Sequence, residues 1–230
     1  MSFDEHTFDN FIVGESNKFT YDAVLAVAEG RNKPHYNPFY IYGESGLGKT
    51  HLLRAVRHLV EEKYPDRKVI YIRCDDFIDE LVLSIRDEKR NEFRDKYSTC
   101  DILLVDDTQN LAGKSATQQE LIYIYNTLRE KGTQIIVTSD KPVVEMNQVV
   151  DTLRTRLISG LNIQIQLPEK ALRVAIIKQV AKNFEVVLPD DIVNCIAENV
   201  DSNIRHLEGI TKTTIAYRSS MDKEINIEHM

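Results

Sequence analysis

The sequence predicts an α/β fold: a five-stranded parallel sheet with helices on both faces, followed by a small helical bundle. Two observations support this prediction. Short apolar runs alternate with amphipathic helical patterns over the first 167 residues, which is typical of a parallel sheet covered by helices. After Pro168 only helical patterns follow. The chain has 230 residues, 42% of them hydrophobic, so it can bury a sizeable core.

Five apolar runs mark the predicted strands. They are 38–43 (PFYIYG), 68–74 (KVIYIRC), 101–107 (DILLVDD), 134–140 (QIIVTSD) and 162–168 (NIQIQLP). The first four are nearly continuous, as expected of parallel strands that are buried on both faces.

Helical patterns fill the intervals between the strands and the region after them. They cover 50–64, 75–89, 89–97, 117–132, 146–160, 169–183, 190–199 and 203–217. The pattern at 117–132 carries an apolar face and ends at a glycine, the usual residue just past a helix. We therefore expect an α/β core at 1–167 with an inserted helix pair at about 75–97. A helical lid at 168–220 and the start of a connecting helix at 221–230 follow it.

The net charge of −7 and the pI near 5.4 argue against a general nucleic-acid coat but leave room for a local basic groove. Three scattered cysteines, Cys74, Cys100 and Cys195, favour buried thiols in a reducing compartment over disulfides or a zinc site. The start of the chain lacks a secretion signal, and no apolar run is long enough to span a bilayer. We predict a cytoplasmic protein.

The segment GESGLGKT, residues 43–50, fits the pattern G-x-x-x-x-G-K-[ST] between a predicted strand and a predicted helix. Gly43, Gly46 and Gly48 let the backbone curl so that successive N–H groups point at a phosphate. The helix that follows adds its positive N-terminal end. Lys49 is expected on the β- and γ-phosphates, and the Thr50 hydroxyl on Mg²⁺. This loop is predicted to bind a nucleoside triphosphate.

A metal-bound triphosphate also needs an acidic group at the end of a neighbouring strand. DILLVDD supplies Asp106, expected to hold Mg²⁺ through water, and Asp107, expected to orient the attacking water. A strand-ending aspartate pair by itself is more often a solvated turn, but the upstream loop favours the functional interpretation. Asp is one methylene shorter than the Glu common in such ATPases, so we expect slow hydrolysis and a switch rather than a motor.

Several segments together resemble the ATPase domain of DnaA, the bacterial chromosomal replication initiator. The resemblance extends over about residues 7–217 and is carried by TFDNFIVGESN (7–17), NPFYIYGESGLGKTHLL (37–53), SIRDEKRNEFRDKY (84–97), DILLVDDTQNLAGK (101–114) and DSNIRHLEG (201–209). It implies an AAA+ P-loop NTPase core with a C-terminal helical lid, binding ATP or ADP with Mg²⁺.

The resemblance also implies roles for residues that spacing alone leaves without one. Asp140 corresponds to the sensor of the γ-phosphate, and Arg205 to the lid arginine that reaches the nucleotide. Arg156 corresponds to the arginine finger given to the ATP of a neighbouring subunit, although helical arginines are otherwise usually solvated. The segment near the adenine corresponds to Phe11, Ile12, Val13 and Asn17.

The inserted helix pair corresponds to the initiator-specific element, which in the family steers subunits into a spiral and faces single-stranded DNA. Val82 and Lys114 match positions that contact the strand backbone. The pair is rich in cations, which would track phosphates without reading sequence. Acidic residues interleave with them, so a solvated, ion-paired face remains the alternative. These cations are Arg86, Lys89, Arg90, Arg94 and Lys96.

The chain departs from the family pattern at Ala116 and Thr152, where arginine is common, and at Asn110, where an aromatic residue is usual. These departures concern strand binding and subunit contacts and leave the nucleotide site intact. No helix-turn-helix pattern follows Tyr217. The chain is either an excised ATPase domain or a natural short relative, and we expect the excised domain. Such a domain would reach duplex origin sites only through a domain absent from this chain.

The sequence thus predicts an ATP-switched assembly module of a replication initiator. Its expected partners are further copies of itself, stacked head to tail, and single-stranded DNA. Two alternatives involve a protein partner instead of DNA. A regulatory adaptor of this family would carry a clamp-binding peptide rich in Gln and Leu, which MSFDEHTFDN lacks. A helicase loader would share the ATP site but fits the segments NEFRDKY and SNIRHLEG less well.

Overall fold

The computed structural model describes residues 6–31 and 36–221. The five predicted strands form one parallel sheet in the order β2-β3-β4-β1-β5, so the predicted sheet is confirmed. Their bounds are β1 Phe39–Tyr42, β2 Val69–Arg73, β3 Ile102–Asp106, β4 Gln134–Ser139 and β5 Leu161–Gln164.

β4 lies between β1 and β3, which brings three strand ends together. Tyr42 at the end of β1 pairs with Ser139, and Val105 near the end of β3 pairs with Val137. Every residue of β3 and β4 is buried, as predicted for strands covered on both faces. The first residues after these three strands, Gly43, Asp107 and Asp140, therefore share one edge of the sheet.

Two helices differ from the predicted patterns. The first helix, over residues that the sequence patterns left unassigned, follows the turn at Gly14. The sixth begins at Asp151 rather than at residue 146, because a 3-10 turn at Val143–Glu145 and the left-handed Gln148 (φ 61°) precede it. The helices up to β5 are α1 Glu15–Ala28, α2 Lys49–Lys63, α3 Cys74–Arg86, α4 Arg90–Ser98, α5 Ser115–Glu130 and α6 Asp151–Ile158.

The described residues form two compact units that are not continuous in sequence. The first holds the sheet and comprises residues 6–11, 20–31, 36–43 and 49–164. The second comprises residues 12–19, 44–48 and 165–221. Two short segments before residue 165 therefore belong to the second unit, which the sequence patterns did not indicate.

The second unit is built on α7 (Lys170–Asn183), α8 (Asp190–Asn199) and α9 (Ile204–Met221). The Glu169 carboxylate accepts hydrogen bonds from the backbone N–H groups of Glu15 and Ser16 at 3.0 and 3.2 Å, which caps the start of α1. Beyond Met221, the predicted connecting helix at 221–230 lies outside the described residues. The core of the unit includes Leu172, Ile176, Ile177, Val193, Ile196 and Leu207.

The inserted helices α3 and α4 are held by an aromatic cluster and an ionic one. The rings of Phe77, Phe93 and Tyr97 lie 4.9–5.1 Å apart, centre to centre. On α5, the fully buried carboxylate of Glu120 accepts hydrogen bonds from Arg90 and Arg94 of α4. This buried carboxylate fixes α4 against the sheet unit.

Over residues 6–31 and 36–221, no helix combines the length and apolar character needed to cross a membrane. The three cysteines form no disulfide: Cys74 and Cys100 are buried, as predicted, and Cys195 is partly buried. Burial raises the pKa of the Cys74 thiol to about 12 and that of Cys100 to about 11, so both remain protonated near neutral pH.

Candidate nucleotide-binding site

The glycine-rich loop joins β1 to α2 and has the backbone that its sequence predicts. Gly43, Gly46 and Gly48 adopt φ values of 151°, 79° and 93°, which residues with a Cβ rarely adopt. Lys49, the first residue of α2, is 6% exposed, and its Nζ donates a hydrogen bond to the Gly43 carbonyl at 2.6 Å. Thr50 follows it in the first turn, half-buried.

The last residue of β3, Asp106, is 1% exposed, and each of its carboxylate oxygens accepts a hydrogen bond from a hydroxyl group. Tyr71 of β2 donates to Oδ2 at 2.9 Å, and Thr138 of β4 donates to Oδ1. Burial and the Asp106 charge raise the pKa of Tyr71 to about 12, so its hydroxyl stays a donor. Two neighbouring strands therefore fix the orientation of this carboxylate.

Asp107 adopts a left-handed conformation with φ 60° and ψ 47°. For a residue other than glycine this costs about 1–2 kcal/mol, so neighbouring bonds must retain it. Its N–H donates to Thr138 Oγ1 at 3.1 Å, and its Oδ1 accepts from Gln109 Nε2 at 3.1 Å. The carboxylates of Asp107 and Asp106 therefore have different partners, Gln109 for the first and two strand hydroxyls for the second.

Asp140 follows β4 and is linked to Asp107 through the same glutamine. Its backbone N–H donates to Gln109 Oε1 at 3.2 Å. Its Oδ1 is buried and has no hydrogen-bond partner among the described residues. Buried polar atoms nearly always have a hydrogen-bond partner. We therefore expect this oxygen to accept a hydrogen bond from a bound molecule or from water. The structure thus brings together Asp106, Asp107 and Asp140, three predicted site residues from two strands.

The lid arginine contacts the glycine-rich loop inside the second unit. Arg205 Nη1 donates to Ser45 Oγ at 3.3 Å, and its backbone N–H donates to the Gly46 carbonyl at 3.3 Å. A Cβ on Gly46 would lie 2.9 Å from Asn203 Oδ1 and 3.0 Å from the Arg205 Cβ. Gly46 is therefore required by its φ and by its close neighbours.

Arg156 lies in α6 and is half-buried. Its Nε donates to Asn126 Oδ1 at 2.9 Å, and its Nη1 donates to the Thr152 carbonyl at 2.9 Å. These partners belong to α5 and α6, not to the strand ends that carry the aspartates. These contacts hold the guanidinium between α5 and α6.

The segment expected near the adenine divides between the two units. In the first, Phe11 is buried and its ring lies 5.7 Å from the Tyr21 ring, nearly parallel. In the second, Asn17 is 2% exposed; its Oδ1 accepts from Gly14 N at 2.8 Å and its Nδ2 donates to the Ile12 carbonyl at 3.0 Å. Asn17 thus shapes the turn that leaves Val13 41% exposed.

The positions expected to contact DNA are both on the surface. Val82 on α3 is 59% exposed, and Lys114 precedes α5 on an exposed loop. The cations of the inserted pair all have acidic partners, which supports the ion-paired alternative for them. These pairs are Arg86–Asp87, Lys89–Glu92, Lys96–Glu80, Arg90–Glu120 and Arg94–Glu120.

The available oxygens fit Mg²⁺ bound together with a triphosphate. Among the described residues, no group of three or more His, Cys, Asp or Glu side chains could hold a metal by itself. Mg²⁺ commonly keeps several waters and phosphate oxygens and takes only one or two protein ligands. The Thr50 hydroxyl and the Asp106 carboxylate supply such a partial set.

Sequence patterns did not single out the side chains that orient the acidic edge, Tyr71, Thr138 and Gln109. Thr138 and Gln109 do lie within motifs, IIVTSD and LLVDDTQ, and polar groups at the ends of buried strands were the available signal. Their partners depend on the strand order, which places β4 beside β3. Asn203, which lies against Gly46, was likewise hidden in the segment SNIRHLEG.

Comparison with known proteins gives a consistent result. The family model for the bacterial DnaA ATPase domain matches residues 3–164. The crystal structure of domain III of the Thermotoga maritima replication initiation protein DnaA is 38% identical, with a TM-score of 0.89, covering 98% of this chain and 93% of that one.

Two longer DnaA structures are also 38% identical, each with a TM-score of 0.83 over 91% of this chain. One is a replication initiator DnaA bound to AMPPCP and single-stranded DNA, and the other is AMPPCP-bound DnaA from Aquifex aeolicus. This chain spans 64% and 65% of their lengths. By its family match, its shared identity and its fold, the chain belongs to the bacterial DnaA ATPase domain family.

Proposed function

We propose that this chain is an ATP-switched assembly module of a replication initiator. It binds ATP with Mg²⁺, associates head to tail with further copies, and in that state engages single-stranded DNA. The observation that carries the nucleotide site is the acidic edge at the ends of β3 and β4. Hydrogen bonds orient the carboxylates of Asp106 and Asp107, and a buried oxygen of Asp140 has no partner within residues 6–31 and 36–221. The glycine-rich loop after β1 starts at the same edge.

Each residue has a role in this proposal. Lys49 exchanges its bond to the Gly43 carbonyl for the β- and γ-phosphates, and the loop N–H groups bind phosphate oxygens. Thr50 and Asp106 hold Mg²⁺, which neutralises charge on the phosphates. Asp140 senses the γ-phosphate indirectly, through groups that lie between the two. Arg205 reaches the nucleotide from the helical lid. The adenine lies near Phe11, Ile12, Val13 and Asn17.

Hydrolysis in this arrangement is slow. Asp107 orients a water whose oxygen attacks the γ-phosphorus, while the bond to the β–γ bridging oxygen breaks and ADP leaves. The water proton passes to the Asp107 carboxylate. Arg156 of a neighbouring copy approaches the γ-phosphate, so its planar fork couples assembly to the nucleotide state.

Single-stranded DNA contacts the outer side of the inserted helices. Val82 on α3 is exposed, and so is Lys114, which precedes α5. Since Arg90 and Arg94 are committed to the buried Glu120, the binding surface relies on few free cations. We therefore expect moderate affinity and a modest decrease with salt for each copy. The relative bound to AMPPCP and single-stranded DNA supports this part of the proposal.

The test is single-stranded DNA binding by fluorescence anisotropy, with an ATP analogue, with ADP and without nucleotide. We expect DNA binding in the ATP state alone and its loss in Arg156→Ala. Binding should be retained in Arg154→Ala, a matched change on the same helix at a residue that pairs with Asp151. DNA binding that is absent in every state while ATP still binds would contradict the proposal. A protein-binding adaptor or loader would then explain the ATP site better.

A further inference from the structure

One side-chain amide joins the ends of β3 and β4. Gln109 Nε2 donates to Asp107 Oδ1 at 3.1 Å, and Gln109 Oε1 accepts from the Asp140 backbone N–H at 3.2 Å. The donor end faces an acceptor and the acceptor end faces a donor, so only one orientation of the amide satisfies both contacts. Gln109 therefore links two residues that follow different strands, and both bonds depend on the distance between those residues.

The backbone and the carboxylate of Asp107 are held by different groups. Its left-handed backbone is unfavourable for a residue with a Cβ, and bonds from surrounding groups retain it. The Asp107 N–H is fixed on Thr138 Oγ1 and its carbonyl accepts from Asn110 N at 3.1 Å. These two contacts hold the backbone. Among the contacts of Asp107 with the described residues, the hydrogen bond from Gln109 is the one that fixes the carboxylate.

The other end of the amide is bonded to Asp140, which has a polar side-chain atom available for a ligand. The Asp140 Oδ1 is buried and has no partner among residues 6–31 and 36–221. A carboxylate oxygen accepts hydrogen bonds, so a γ-phosphate would act on it through a donor such as a bridging water. In the coupling proposed below, that donor shifts Asp140, and the bond from the Asp140 backbone N–H to Gln109 Oε1 carries the shift to the amide. Because the amide is planar and rigid, its donor end moves with it.

Gln109 also has room to leave this position. It lines a cavity of about 180 Å³ together with Lys141, Glu145, Asn147 and Gln148. The polar groups in that wall offer the amide other partners. The link between β3 and β4 can therefore open without creating a buried unpaired amide.

We propose that Gln109 is a positioning residue that couples the sensor Asp140 to the water-orienting Asp107. This inference rests on the proposed function and deepens it. When Asp140 reads a γ-phosphate, Gln109 sets the Asp107 carboxylate for attack; when it does not, the carboxylate is held less firmly. The amide acts through Asp107 and does not contact the nucleotide.

The first test separates nucleotide binding from hydrolysis. Gln109→Met keeps the length and removes both hydrogen bonds, while Gln109→Glu keeps the acceptor and places a second negative charge beside Asp107. We expect both variants to bind ATP and ADP within about threefold of the unchanged chain, and to hydrolyse ATP in single turnovers about tenfold to a hundredfold more slowly. Gln119→Met, at an exposed position on α5, is the matched control and should change neither quantity.

The second test does not require measurable hydrolysis. In amide NMR spectra, Asp107→Asn should shift the backbone N–H signal of Asp140, because the link transmits the change. In the Gln109→Met background the same substitution should leave that signal in place. An Asp140 shift of equal size in both backgrounds, or an unchanged single-turnover rate in Gln109→Met, would overturn the coupling. Failure of the unchanged chain to bind ATP would instead overturn the proposed function, and the NMR comparison would still decide the link.

Discussion

The substitution Glu120→Gln tests how the inserted helices are held. The Glu120 side chain is fully buried on α5 and accepts four hydrogen bonds from the guanidinium groups of Arg90 and Arg94. Glutamine keeps the shape but removes the charge, and its NH₂ group faces donors. Burial by itself would raise the pKa of Glu120, but the bonds and charges of the two arginines outweigh it and lower that pKa.

The expected cost follows from these contacts. Removing one partner of a buried ion pair costs about 3–5 kcal/mol. The side chains of Arg90 and Arg94 are 50% and 27% exposed, so water compensates part of the loss. We expect a destabilisation of about 2–3 kcal/mol, or about 5–10 °C in Tm for a domain of this size. Thermal and urea unfolding of both proteins measure it.

A matched control and the pH dependence make this prediction specific. Glu130→Gln lies on the same helix at an exposed position and should change stability by about 0.5 kcal/mol or less. Because the folded pKa of Glu120 is lowered, its contribution is complete above the unfolded value of about 4.3 and is lost as the pH falls through the folded value. The difference from Glu120→Gln should therefore shrink below about pH 4. Equal stability of the two variants at pH 7 would refute the reasoning.

Three further outcomes are expected. Gly46→Ala should weaken nucleotide binding and lower Tm more than Gly132→Ala. Both positions have a similar positive φ (79° and 71°), but of the two only Gly46 has a side-chain atom as near as 2.9 Å to the new methyl group. Equal decreases in Tm would show that steric crowding at Gly46 is not the cause. Tyr71→Phe removes one donor to Asp106, so nucleotide affinity should fall about threefold to tenfold with Mg²⁺ and stay constant without it in a Mg²⁺ titration. Burial lowers the pKa of His51 from 6.5 to about 4. The free energy of unfolding, measured with denaturant at each pH, should therefore decrease as the pH falls across that interval. An equal decrease in His51→Gln would contradict this.

The sequence predicted the sheet and the family because those signals are local. Each strand is a short buried run, and the loop at 43–50 requires glycines at fixed spacing. Helix α1 was missed because its pattern mixes apolar residues with Thr20, Tyr21 and Asp22 rather than showing a clear stripe. The start of α6 was placed too early because the left-handed Gln148 interrupts a continuous apolar pattern.

Side-chain partners were harder to predict than elements. The hydroxyls of Tyr71 and Thr138 meet Asp106 only because β2 and β4 flank β3, and a linear pattern does not contain that order. The basic residues of α4 show the same limit. Their charge density suggested a DNA-facing wall, but Glu120, 26 positions after Arg94, takes up two of them. The role assigned to Asp107 by its place after β3, and those assigned to Asp140, Arg156 and Arg205 by resemblance, remain predictions.

The interleaving of the two units affects how the protein can be divided. The chain passes from one unit to the other five times, after residues 11, 19, 43, 48 and 164. The family match ends at residue 164, yet the side chains packed against Gly46 come from Asn203 and Arg205. A fragment that ends at residue 164 would keep the whole glycine-rich loop, residues 43–50, but would lose the side chains that pack against Gly46. A chimaera that carries the C-terminal helices of a relative would therefore have to keep side chains that fit against Gly46 at positions 203 and 205.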